Sequence, residues 1–185
     1  MKSVFFRKMA IIAIAVVTMS VAAHAQTPAF TKGDNAINVG IGFGGTLYSG
    51  YGFLWSSVTR MPAITASYEH GIIGHVWDDN SSIGVGGLIG HSSVKWKDLD
   101  WRINTTLIGA RGSLHYTFVD KLDTYAGLML GYKIISDNTG HYDYNNSFVS
   151  DTYLGARYYF TDNFAVYGEI GWYVSLLNLG ISFKF

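Results

Sequence analysis

The sequence contains no cysteine, which excludes a disulfide framework, a thiolate metal site and a lipid anchor on an N-terminal cysteine. Proline is nearly missing, with two residues, and charged side chains make up only 14% of the chain, against about 25% in ordinary soluble domains. Long apolar runs are scarce as well. The longest, from Met9 to Val21, falls short of the roughly 20 residues a helix needs to cross hydrocarbon. What the sequence does have is glycine, 22 residues, and aromatics, 16%, a bias that fits a sheet with one face in lipid.

Lys2, Arg7 and Lys8 precede the apolar run, and Ala23-His24-Ala25 follows it. A basic flank, a short apolar stretch and an A-x-A close are the parts of a secretory signal peptide. We therefore expect residues 1–25 to be removed after Ala25 and residues 26–185 to form one domain. The remainder carries ten basic and thirteen acidic residues, so it has no nucleic-acid footprint.

Beyond Gln26, stretches of about ten residues alternate apolar with small or polar side chains, the period of a strand whose two faces differ. Leu177, Leu179, Ile181, Phe183 and Phe185 fall on one face, with Asn178, Gly180, Ser182 and Lys184 on the other. Reading backwards, the same pattern recurs over Phe164–Trp172, Leu154–Phe160, Thr124–Tyr132, Ile108–Phe118, Ile83–His91, Ile64–His70 and Ile37–Phe43. Eight segments of this kind predict an all-β, antiparallel up-and-down transmembrane β-barrel of eight strands, apolar side to lipid and polar side to lumen. Hairpin parity supports the phases: Thr161-Asp162-Asn163 sets Phe160 against Phe164, Val119-Asp120-Lys121 sets Phe118 against Leu122 and His115 against Tyr125, and Tyr173 to Leu176 sets Trp172 against Leu177. Outer loops are expected at 45–60, 92–102, 134–149 and 173–176, and inner turns at 71–81, 119–121 and 161–163.

An arginine at the lipid midplane costs about 2 to 4 kcal/mol, so charge placement discriminates between faces. Glu69, Arg111, His115, Arg157, Glu169 and Lys184 all fall in the lumen phase and are the candidate interior network, with Arg157 diagonal to Glu169. They would line a narrow path for ions or form a salt-bridged filling. Trp77, Trp101, Tyr116, Phe118, Phe160, Phe164 and Trp172 lie near strand ends, as interfacial girdles require.

Other chemistry is weakly supported. His91-Ser92-Ser93 and His115 with Thr117 pair a base with a hydroxyl, but no acid stands at a strand spacing that would orient either histidine, so lipid-modifying catalysis is the minor alternative. Neither His70 with His75 nor Asp137, His141 and Asp143 fixes a coordination sphere, and Asp78 to Ser82 lacks the glycine and distal glutamate of a calcium loop. No metal or cofactor is expected. Gly40, Gly42, Gly44 and Gly45 precede no helix and so are no phosphate cradle; they ease strand curvature. Tyr48, Tyr51, Phe53 and Trp55 in the first outer loop, and Tyr142 and Tyr144 in the third, are candidate surface contacts, since aromatic anchors are common at interfaces.

Three stretches resemble the small outer-membrane β-barrel family of OmpA-like, OmpX-like and porin-family proteins: Tyr125-Ala126-Gly127-Leu128 with Gly131-Tyr132; Gly155 to Phe160 with the Thr161-Asp162-Asn163 turn, Tyr167 and Glu169; and the end Leu179 to Phe185. The resemblance implies an outer-membrane location, contact with membrane lipid and lipopolysaccharide, and a C-terminal aromatic signal, Phe183 and Phe185, read by the barrel-assembly machinery. It also implies a structural or surface-binding role, adhesion or host contact, without catalysis, or else a narrow channel. No cell-wall-binding domain is expected after Phe185.

Overall fold

A strand with one apolar and one polar face needs partners on both edges and different surroundings on its two sides, and a closed sheet supplies both. The computed structural model describes residues 27–45, 58–96, 101–138 and 146–185. The candidate loop aromatics Tyr48, Tyr51, Phe53, Trp55, Tyr142 and Tyr144 and the expected signal peptide lie outside the described residues. The strands are β1 (Asn35–Phe43), β2 (Val58–Arg60), β3 (Ala63–Gly74), β4 (Ser81–Trp96), β5 (Trp101–Val119), β6 (Leu122–Asp137), β7 (Ser147–Tyr159), β8 (Phe164–Gly171) and β9 (Leu177–Lys184). All pairings are antiparallel, and β9 returns to β1 to close the ring.

Nine strands make eight staves, because β2 and β3 both pair with β4. Arg60 stands opposite Val94 and Ile64 opposite His91, so one extra residue is accommodated at Met61-Pro62. Proline has no N–H to give the ladder, which makes it the natural place for that irregularity.

The inward and outward phases follow the sequence alternation. In β1, Ala36, Asn38, Gly40 and Gly42 are buried while Ile37, Val39, Ile41 and Phe43 are exposed; β7, β8 and β9 repeat the pattern. The exposed face is apolar over the middle of every stave and aromatic toward its ends. Tyr158, Phe160, Phe164, Phe183 and Phe185 ring the end with short turns, and Phe43, Tyr132, Phe148 and Trp172 the end with long loops. Trp101 departs from the expected girdle: it stacks on Trp96 at 4.6 Å and donates from Nε1 to Asp137.

Register corrects four sequence expectations. The long inner turn at 71–81 shrinks to residues 75–80, because β3 runs on to Gly74 past a bulge between Gly71 and Ile73, and β4 starts at Ser81. At the next turn Val119, not Phe118, pairs with Leu122, the slip being taken up between Thr117 and Val119 with Lys121 at φ 66°. Trp172 does not meet Leu177; the last β8–β9 pair is Glu169 with Asn178, which frees 172–176 as a loop. Finally, β4 to β7 extend at the loop end through residues assigned to loops, reaching Trp96, Trp101, Asp137 and Ser147. β8, β9 and β1 are only 8 or 9 residues long, against 13 to 19 for β4 to β7. The rim is therefore lopsided, and the part of β4–β5 that rises highest has paired polar residues in the outward phase: His91 with Thr106, Ser93 with Asn104, and Lys95 with Arg102.

Candidate functional site

Eight staves leave a lumen just wide enough for side chains to fill, and the inward residues fill it in tiers. Nearest the turn end is a closed ring of four charged groups. Arg157 donates from Nη1 to Asp123 Oδ2 at 2.9 Å and from Nη2 to Glu69 Oε2. His115 faces the same two acids, with Nδ1 2.9 Å from Asp123 Oδ1 and Nε2 3.2 Å from Glu69 Oε1. With both ring nitrogens protonated, the tier is charge-balanced and each carboxylate oxygen has a donor. Arg157 Nε donates to Asn38 Oδ1 at 3.2 Å, and the guanidinium is 1% exposed, on the ring of Tyr125.

One layer up, Arg111 donates from Nη2 to Glu169 Oε2 at 2.6 Å, Tyr125 adds its hydroxyl to the same oxygen at 3.1 Å, and Arg111 lies 3.9 Å over the ring of Tyr153. The Arg157–Glu169 pair expected from diagonal register is thus corrected. Arg157 takes its direct cross-strand neighbour Asp123 and reaches across the lumen to Glu69, which leaves Glu169 to Arg111 from the far wall. Lys184 joins neither tier; it lies at the turn end, 3.8 Å from Asp34 and donating to the Ala29 carbonyl.

Toward the loop end the filling turns apolar, with Ala63, Leu88, Leu107, Met129 and Val174 packed beside Tyr125 and Tyr153. Val174 comes from the 172–176 loop, which folds into the mouth because Asp151 accepts the Trp172 and Val174 N–H groups, both at 2.9 Å. The turn end is filled as well. Phe30, from the segment preceding β1, is fully buried, its ring 4.4 Å from that of His115.

Sequence reasoning missed Asp123, Asp151 and Phe30. The first two share the inward phase of Tyr125 and Tyr153 and were recoverable by extending each alternation one step; Phe30 lies outside any periodic stretch and gave no signal. The expectation that no acid orients His115 is also corrected, by Asp123 and Glu69. They occupy both ring nitrogens, so no hydroxyl is activated, and Thr117 Oγ1 instead accepts from the Ala29 N–H. His91 and Ser92 point to opposite faces, His91 bonding Thr106 and Ser92 the Met61 carbonyl. Residues of the 75–80 turn bond one another, His75 to Asp79 and Asn80 N–H to Asp78.

No protein-family model matches the sequence, and no curated protein matches it. Solved structures do match. The attachment invasion locus protein Ail of Yersinia pestis superimposes with a TM-score of 0.55 at 12% identity, over 84% of this chain and all of that one. Ail in complex with the heparin analogue sucrose octasulfate gives 0.55 at 10% identity over 84% of this chain and 100% of Ail. The outer membrane protein OprG of Pseudomonas aeruginosa gives 0.50 at 12% identity, covering 85% of this chain and 99% of OprG. The chain has the fold of these small barrels: all-β, antiparallel and closed.

Proposed function

We propose that this chain is an integral outer-membrane protein that works as a closed barrel, contributing to the envelope and making contacts at its surface, without catalysis. One observation carries the reading: the exposed face is an apolar band between aromatic rings, while the interior charges are satisfied by one another. Such an exterior is stable only in lipid, and among the described residues the charged groups of the two interior tiers are already paired, which disfavours a path for ions. In this reading residues 1–25 are removed on export, Phe183 and Phe185 serve the barrel-assembly machinery, and the loop end faces outward. Two matched structures support a surface role by analogy, since Ail is named for attachment and was solved with a sulfated sugar. The raised β4–β5 rim, with Lys95 opposite Arg102 above the apolar band, suits contact with lipopolysaccharide and other anionic surface sugars.

The test is planar-bilayer conductance of residues 26–185, after a gel-mobility shift on boiling has established a folded barrel. The expected result is electrical silence. Discrete conductance steps would overturn the reading in favour of a narrow channel. Surface binding is tested separately by deleting Tyr48 to Trp55. Adhesion of cells displaying the protein to host cells or immobilised heparin should fall at least tenfold with the mobility shift intact; unchanged adhesion removes the loop from the function.

A further inference from the structure

The segment in front of β1 dips into the turn-end mouth and comes out again. Thr27 to Ala29 enter beside the Asp120-Lys121 and Thr161-Asp162 turns, Phe30 reaches the four-charge ring, and the chain leaves through Thr31 and Gly33, the latter at φ 94°, to begin β1 at Asn35. The dip is tied to four staves. The Ala29 N–H donates to Thr117 Oγ1 at 2.9 Å, Ser82 Oγ donates to the Phe30 carbonyl at 2.8 Å, Lys184 Nζ donates to the Ala29 carbonyl at 2.8 Å, and the Gly33 N–H donates to the Gly71 carbonyl at 2.8 Å. Arg157 lies 5.5 Å above the Phe30 ring.

None of these contacts is part of the barrel's own ladder. The closing seam pairs Asn35 with Phe185 through two backbone bonds, of 3.0 and 2.9 Å, and β1 with β3 from Asn35 onward, so the ring of staves stays complete when the segment is out. What holds the segment in is the Phe30 side chain, the packing of Ala29 with Tyr159 and Ala165, the close seating of Thr31 on Gly71, and a few hydrogen bonds. Against them stands the ordering of seven consecutive residues, each costing backbone entropy. Its outer edge is also unsealed: a cleft of about 430 Å³ runs between Thr27–Ala29 and the two turns. Local contacts that nearly balance an ordering cost make an element that opens on its own, well before the global fold.

We propose that Thr27 to Gly33 is a separately seated plug that opens and closes on the assembled barrel, alternately covering and wetting the Glu69–His115–Asp123–Arg157 ring from the turn side. The open state is a vestibule and not a pore, since Leu107, Met129 and Val174 still close the loop end. Phe30 is the latch: it packs against His115 and Arg157 from the turn side and shields the ion pairs from water.

The absence of native cysteine makes the test direct. Ala29→Cys introduces a single thiol at a position that is 6% exposed. Residues 26–185 carrying it, refolded into lipid nanodiscs so that both faces are accessible, are treated with a membrane-impermeant maleimide at several urea concentrations. Barrel unfolding is followed in parallel by gel mobility. The plug predicts labelling at least tenfold faster than barrel unfolding in the same urea, and a further rise of about tenfold on adding Phe30→Ala with the mobility shift retained. Labelling that tracks unfolding at every urea concentration would make the segment an integral part of the fold and overturn the proposal. Labelling as fast as that of an exposed Thr161→Cys control would show that the segment never seats, and would overturn it too. If Ala29→Cys does not fold, Ser82→Cys, 1% exposed beneath the plug, reports the same opening from the barrel side.

Discussion

Replacing Arg157 with alanine is expected to lower the stability of the folded barrel by about 3 to 5 kcal/mol, the usual cost of taking one partner from a buried ion pair. The size follows from what is left behind. Glu69 and Asp123, 6% and 0% exposed, would keep only His115 as a common donor, and Asn38 would lose its Nε partner. Urea titration of the refolded protein, read by gel mobility and tryptophan fluorescence, measures the change. Lys184→Met is the internal comparison. Its side chain is 19% exposed, with the ammonium 3.8 Å from Asp34 and bonded to the Ala29 carbonyl, so its loss should cost only about 1 to 2 kcal/mol.

Coupling within the ring gives the sharper reading. Glu69→Gln lowers the charge that Arg157 must balance, so Arg157→Met combined with Glu69→Gln should be less damaging than the two separate effects added, by about 0.5 to 3 kcal/mol. Strict additivity would mean that the arginine and the glutamate act through different neighbours. A cost below about 1 kcal/mol for Arg157→Ala would mean that water reaches the ring in the folded state and solvates the stranded acids. In that case the lumen is not the dry, self-satisfied interior on which the closed-barrel reading depends.

The alternation was legible because its cause is local. Side chains alternate along any strand, and lipid on one side and a narrow lumen on the other leave no freedom in which residues go where. The phase of Leu154 against Tyr153, or of Ile170 against Glu169, is therefore the same in sequence and structure. Strand ends were less legible. Gly71 to Gly74 and Ser92 to Trp96 have no clean alternation, yet they continue strands because β4 gives the first, and β5 the second, a neighbour to bond to. Pairing inside the lumen was least legible. Arg157 and Glu169 are near each other on the wall, but Arg157 bonds the neighbour directly opposite it, Asp123, and beyond that each side chain is long enough to cross the barrel, where the partner is set by height in the closed ring. Strand number and shear fix that height, and neither is written in any one segment. Phe30 shows the limit most plainly: nothing before the barrel closes distinguishes it from a residue in a tail.

Gly127→Ala should be among the most damaging single-methyl changes in the molecule, whereas Gly112→Ala should be harmless, although the two glycines are close neighbours on adjoining staves. A methyl group at Gly127 would overlap the ring of Tyr153 and come within 2.6 Å of the Gly112 carbonyl. Tyr153 cannot simply swing aside, because its hydroxyl is 2.8 Å from Ser113 Oγ and its ring carries Arg111. Overpacking of this kind costs about 1 to 3 kcal/mol, and Gly127→Val should not fold. The same joint recurs where Tyr125 lies over Gly155 and Tyr167 over Gly40, so the inward glycines make room for neighbouring tyrosines as well as for strand curvature. Gly112 faces outward with nothing within 4 Å of an added methyl, and alanine in a strand interior is favoured over glycine by about 0.5 to 1 kcal/mol. Urea midpoints for the two variants should therefore move in opposite directions. Pairing Gly127→Ala with Tyr153→Leu tests the cause, since removing the ring should recover much of the loss even though Tyr153→Leu alone destabilises. If the double variant is as unstable as the sum of its parts, the Gly112 backbone contact is what forbids the methyl, and the tyrosine occupies space that the close approach of β5 and β6 had already created.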